Sequence, residues 1–159
     1  MDLAEVTRRL ELQDLYSAYA ACLDSDALER WPEFFVDDCV YRITSAENYA
    51  AGLPLGLIYA TSKNMLKDRV SALRQANIYE SQRYRHLISC VQIAKAEPGA
   101  LDAVANFLVV RTMQDGAMIL FAAGRYIDRV VRTDLGWKFA GKQVILDSRQ
   151  IDTLLALPL

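Results

Sequence analysis

The chain has 159 residues, 53% of them apolar and 24% charged, with a formal net charge of -2. That balance fits one folded domain, placed at residues 1–159, and excludes a fibrous or disordered protein. The charge gives no long-range attraction to phosphate backbones, so nucleic acid is not an expected partner, and the longest apolar run is too short to span a bilayer.

From the N-terminus, Leu12, Leu15, Tyr16, Tyr19 and Leu23 recur at three- and four-residue steps, which predicts an amphipathic helix. Asp24-Ser25-Asp26 supplies a stop and a fresh cap for a short second helix over Ala27 to Phe35, with Pro32 in its first turn. Asp37-Asp38 is expected to end that helix and shape a turn. Cys39 to Thr44 is β-rich and predicts a first strand, after which Gly52, Pro54 and Gly56 break the pattern into a loop. Ser62 then opens a third helix, with Met65, Leu66, Arg69, Val70 and Leu73 on one side.

Near Glu80 the period changes from helical to extended. Pro98-Gly99, Asp115-Gly116 and Asp134-Leu135-Gly136 separate strands over 84–96, 101–113, 117–132 and 137–147. Consecutive strands this long form an antiparallel meander and should curl, with Gly124 and Gly141 as expected kink or bulge points. Helices gathered on one face of such a sheet make an α+β cone. The ending 153–159 is unusually apolar; it either folds back onto the core or is covered by another subunit.

The chemical inventory is sparse. One histidine, His86, and three dispersed cysteines, Cys22, Cys39 and Cys90, argue against an iron–sulfur or mononuclear metal centre made by this chain alone. Those cysteines cannot pair completely, none forms a CxxC, and no secretory signal precedes the fold, so a reducing cytoplasm is expected. A cone can hold a general acid or base in an apolar cavity, for which His86, Asp24, Asp38 and Tyr41 are the candidates. Against that chemistry, His86 can be a histidine bonding its neighbours at a strand start or interface, and Asp24 and Asp26 a helix stop and cap. Arg83 and Arg85 straddle Tyr84 and in a strand share one side, which suits an interface or a solvated face equally.

Taken in order, Trp31-Pro32, Phe34-Phe35, Asp38-Cys39-Val40-Tyr41-Arg42, the stretch from Met65 to Leu73 and Arg83-Tyr84-Arg85-His86 resemble the small (β) subunit of aromatic ring-hydroxylating oxygenases of the Rieske non-haem iron class. The resemblance covers essentially the whole chain. Within it, Ala76-Asn77-Ile78-Tyr79-Glu80 and the ending from Asp152 to Leu159 look most like small subunits of terephthalate dioxygenases, with salicylate hydroxylases less close. The resemblance implies a nuclear-transport-factor-two-like cone in a complex of three large and three small subunits. In such a complex the large subunit carries the [2Fe–2S] cluster and the mononuclear iron, and a reductase passes electrons from NAD(P)H. It also implies that this chain contributes no catalytic, cofactor-binding or metal-binding residue. The expected subunit contacts are then Arg83, Tyr84, Arg85, His86, Leu157 and Leu159. A stand-alone dehydratase or isomerase using His86 as general base is the competing reading.

Overall fold

The computed structural model of the chain describes residues 2–54, 56–76, 81–149 and 157–159. The segments 76–80 and 152–156 that carried part of the resemblance therefore lie largely outside the described residues. Helix α1 spans Leu3–Asp24; the Asp2 side chain accepts from the Glu5 amide at 2.7 Å and caps its start. Its buried stripe is Leu12, Tyr16, Tyr19, Cys22 and Leu23, the face that the three- and four-residue spacing predicts.

The second helix forms as a tight 3₁₀ turn over Leu28–Phe34 and is not capped by Asp26. Asp26 has φ 57 and gives its carboxylate to Arg74, so the backbone turns through the left-handed region that short polar residues tolerate. Strand β1 runs Phe35–Ser45 and already contains Asp37 and Asp38, which therefore extend a strand instead of shaping a turn. The short helix α2, Ala46–Ala50, begins on Ser45, whose side chain accepts from the Asn48 amide at 3.1 Å. Strand β2, Ile58–Ala60, and helix α3, Lys63–Ala76, follow, with Ser62 accepting from the Met65 amide as the cap of α3.

Strands β3 (Gln82–Glu97), β4 (Ala100–Met113), β5 (Met118–Thr133) and β6 (Gly136–Leu146) match the meander to within about two residues at each end. Gly116 and Gly136, with φ 90 and 100, turn the chain between them in conformations that other residues resist. The sheet order is β2-β1-β6-β5-β4-β3, and β1 pairs parallel to β6. That pairing joins segments about a hundred residues apart and leaves no turn signature in the sequence.

The curl comes from ladder irregularities at Ser89/Gln92, Val109/Val110 and Arg129/Val130. Gly141 lies beside the last of these, whereas Gly124 marks a close approach of β5 to β6. Trp31, Tyr16, Tyr19, Tyr41, Tyr126, Phe35 and Phe139 are all wholly buried between the helices and the sheet. Most of these rings meet edge-on, as Trp31 and Tyr41 do at 5.2 Å between centroids, while Tyr16 and Tyr126 stack at 6.1 Å, both geometries that aromatic quadrupoles favour. No helix is long and apolar enough to cross a membrane among the described residues.

Candidate functional site

The end of α1 and the start of β3 meet at Asp24 and His86. The Asp24 carboxylate accepts the His86 main-chain amide at 3.0 and 3.1 Å and faces the ring Nδ1 at 2.6 Å. A carboxylate only accepts here, so its bond to Nδ1 assigns the ring proton to that nitrogen. Nε2 is buried with no hydrogen-bond partner among the described residues, and the His86 side chain has no exposed surface. Of the four acid–base candidates, only these two are brought together. Asp38 is exposed on β1, and Tyr41 is wholly buried there.

The Tyr41 hydroxyl accepts from the Leu159 amide at 3.1 Å and donates to the Leu159 main-chain oxygen at 3.0 Å, and Tyr19 donates to that same oxygen at 2.8 Å. Leu157 and Leu159, expected among the subunit contacts, thus sit in this chain's own core, while the rest of the apolar ending, 153–156, lies outside the described residues. Tyr84 is also turned inward and stacks on Phe121 at 5.1 Å between centroids. Arg83 and Arg85 point outward; Arg85 is 75% exposed, with Asp24 its nearest carboxylate at 4.0 Å.

A second polar cluster lies inside the cone, where the sequence reading places none. Lys142 and Asp128 are completely buried, with Nζ 2.9 Å from Oδ2, and the Tyr16 hydroxyl donates to the same oxygen at 2.5 Å. Nζ lies 3.5 Å from the centre of the Tyr126 ring and close to those of Phe139 and Tyr19, which give the ammonium π faces in place of water. Burial pushes the Asp128 carboxyl up and the Lys142 ammonium down, each opposed by the other's charge. Alternation marks both residues as inward-facing, since Asp128 is in phase with Tyr126 and Val130, and Lys142 with Val144. The bulge at Arg129/Val130 is what sets them opposite each other, and a hairpin read without it puts them one residue out of register.

Among the described residues no group of three or more His, Cys, Asp and Glu side chains could hold a metal ion. The two polar clusters do different things in the fold. One ties a helix terminus to an edge strand, and the other holds an ion pair within an aromatic core.

Comparison with known proteins places this architecture. The ring hydroxylating beta subunit family matches residues 18–153. The small subunit of anthranilate 1,2-dioxygenase from Burkholderia cepacia is 44% identical over 149 residues, covering 94% of this chain and 92% of that one. Subunit beta 1 of the terminal oxygenase component of terephthalate 1,2-dioxygenase from a Comamonas species is 42% identical over 150 residues, covering 94% and 97%. A crystal structure described as the beta subunit of an aromatic-ring-hydroxylating dioxygenase from Novosphingobium aromaticivorans superposes with a TM-score of 0.89 at 39% identity, covering 99% of this chain and all of that one. The identities do not separate a terephthalate relative from an anthranilate one. The fold is the α+β cone of the nuclear-transport-factor-two type, and the chain belongs to the ring-hydroxylating β-subunit family, the small subunits of aromatic ring dioxygenases.

Proposed function

We propose that this chain is the non-catalytic small subunit of a terminal oxygenase acting on an aromatic carboxylate. Its role is to support assembly and stability of the catalytic large subunit. The observation that carries this reading is the filled cone: the space in which a cone enzyme would hold substrate is taken up by the Trp31, Tyr41, Tyr19 and Phe139 rings and closed by Leu159. Anthranilate and terephthalate, named for the two relatives, are both benzene carboxylates, which supports that substrate class without choosing between them. On this reading the complex has three large and three small subunits. The [2Fe–2S] cluster and mononuclear iron belong to the large one, a reductase drawing on NAD(P)H supplies electrons, and the assembly works in a reducing cytoplasm.

Co-expression with the large subunit, followed by measurement of mass and iron content, tests this. A hexamer carrying iron, beside an iron-free preparation of this chain alone, is the expected result. A stable lone chain that ignores the large subunit would overturn it.

The Asp24–His86 pair favours one alternative, a stand-alone dehydratase or isomerase with an oriented imidazole as base. A general base must reach the proton it removes, and the His86 side chain has no exposed surface, so the arrangement supports a clamp better than a base.

A further inference from the structure

Tyr41 and Ile43 turn into the core, so Val40 and Arg42 face outward from β1. The strand register continues that outer face in two rows. Val40 lies beside Gly141, Arg129 and Asp102, and Arg42 lies beside Gln143, Ile127 and Val104, with Tyr59 of β2 on its other side. Gly141 brings no side chain to the first row, and the face sinks there into a cup of about 460 Å³. That volume falls within the range of small-molecule sites.

The two guanidinium groups of the cup differ in their partners. Arg129 donates to Asp102 at 2.8 Å and to Glu97, and is neutralised. Arg42 donates through Nη2 to the Gln143 side-chain oxygen at 2.6 Å, a neutral amide, and no carboxylate among the described residues pairs with it. Its stem is held as well, since Gly56 packs so closely that a Cβ there would come within 3.1 Å of the Arg42 Cγ. A half-buried guanidinium fixed in place without a counter-ion, beside apolar walls, is preorganised for an anion.

We propose that this cup binds a small monocarboxylate carrying one apolar ring. The carboxylate pairs with the Arg42 nitrogens that Gln143 leaves free. The ring occupies the space over Gly141, between Val40 and Ile127. Because Asp102 and Glu97 balance Arg129, Arg42 is the uncompensated charge of the cup, which matches a single carboxylate better than a dianion. The cup lies entirely within this chain, so its test needs no partner and is separate from the small-subunit reading.

The test titrates benzoate into the isolated chain and follows proton–nitrogen NMR spectra, with the Arg42 Nε–H signal as the local probe. Wild type should saturate with a Kd on the order of 1 mM or below. Benzamide keeps the ring and loses the charge, acetate keeps the charge and loses the ring, and each should bind at least about tenfold more weakly. Gly141→Val sets a branched side chain on the floor of the cup and Arg42→Met removes the cation; each should raise the benzoate Kd at least about tenfold. Thermal melts confirm folding, with Ile127→Asp and Arg42→Gln standing in for a variant that melts early. Absence of saturation by about 20 mM benzoate overturns the proposal, as does binding that survives both substitutions. Acetate bound as tightly as benzoate would reduce the cup to a bare anion contact and overturn the ligand class.

Discussion

Asp24, the last residue of α1, holds His86 twice, through the main-chain amide of β3 at 3.0 and 3.1 Å and through the ring Nδ1 at 2.6 Å. Removing that carboxylate strands a buried amide and a buried ring N–H, so Asp24→Ala should lose about 2–4 kcal/mol in urea denaturation. His86→Gln keeps the amide bond and should lose less. Turnover of the assembled oxygenase should then stay within about twofold of wild type, whereas removal of a true general base commonly costs about 10²–10⁴-fold. A loss of that size with normal assembly would restore His86 to catalysis.

Lys142→Met should cost about 3–5 kcal/mol, because it leaves the Asp128 carboxylate buried without its cation. The double variant Lys142→Met/Asp128→Leu should recover at least half of that loss, since an apolar pair carries no desolvation penalty. Denaturation midpoints of the three proteins decide the matter. A double variant as unstable as the single one would mean that Lys142 acts mainly through its contacts with the Tyr126 and Phe139 rings.

The elements legible in the sequence are those written in local signals. The α1 stripe, the Ser62 cap and the hairpins of the meander each depend on residues a few positions apart. What the sequence hides is set by distant partners. The parallel pairing of β1 with β6 at Phe35 and from Val40 onward brackets Asp37 and Asp38 within a strand, a bulge sets Asp128 opposite Lys142, and Leu159 is claimed by hydroxyls more than a hundred residues away. Of the site, the outward pair Arg83 and Arg85 follows from strand alternation. The Asp24–His86 bond does not, since it joins residues 62 apart across a helix and a sheet.

Leu159 is wholly buried and Leu120 is 75% exposed, so one substitution separates their roles in the isolated chain. Leu159→Ala should cost about 2–4 kcal/mol through lost burial and the cavity left in the core. Leu120→Ala should change stability by less than about 0.5 kcal/mol. Equal losses in a chemical melt would contradict the placement of Leu159 in the core.

Two glycines of the curled sheet should respond oppositely to alanine. A Cβ on Gly124 would lie 1.9 Å from the Ile145 carbonyl oxygen, a backbone atom that cannot move without parting β5 from β6. A Cβ on Gly141 would meet only the Arg129 Cβ, at an ordinary 3.7 Å. Gly124→Ala should therefore express poorly or melt far below wild type, and Gly141→Ala should melt within a few degrees of it. Similar melting of the two variants would show that the ladder gives way at Gly124.

Arg74 joins α3 to the turn after α1. Its Nε and Nη2 donate to Glu29 at 2.6 and 3.1 Å, and Nη1 donates to Asp26 at 2.9 Å. The guanidinium holds the Glu29 carboxyl down to about 2, below its usual range. A carboxyl depressed in the folded state adds stability that is fully present above its unfolded value, about 4.3, and fades as the pH falls toward the folded one. Glu29 is 63% exposed, so solvent screening keeps the contribution below about 1 kcal/mol. Wild type should accordingly be slightly more stable than Glu29→Gln at pH 7, with the gap closing between about pH 4.5 and pH 2. Urea midpoints of the two proteins taken across that window measure it, and the absence of any gap at pH 7 would mean that Arg74 holds the turn through Asp26 alone.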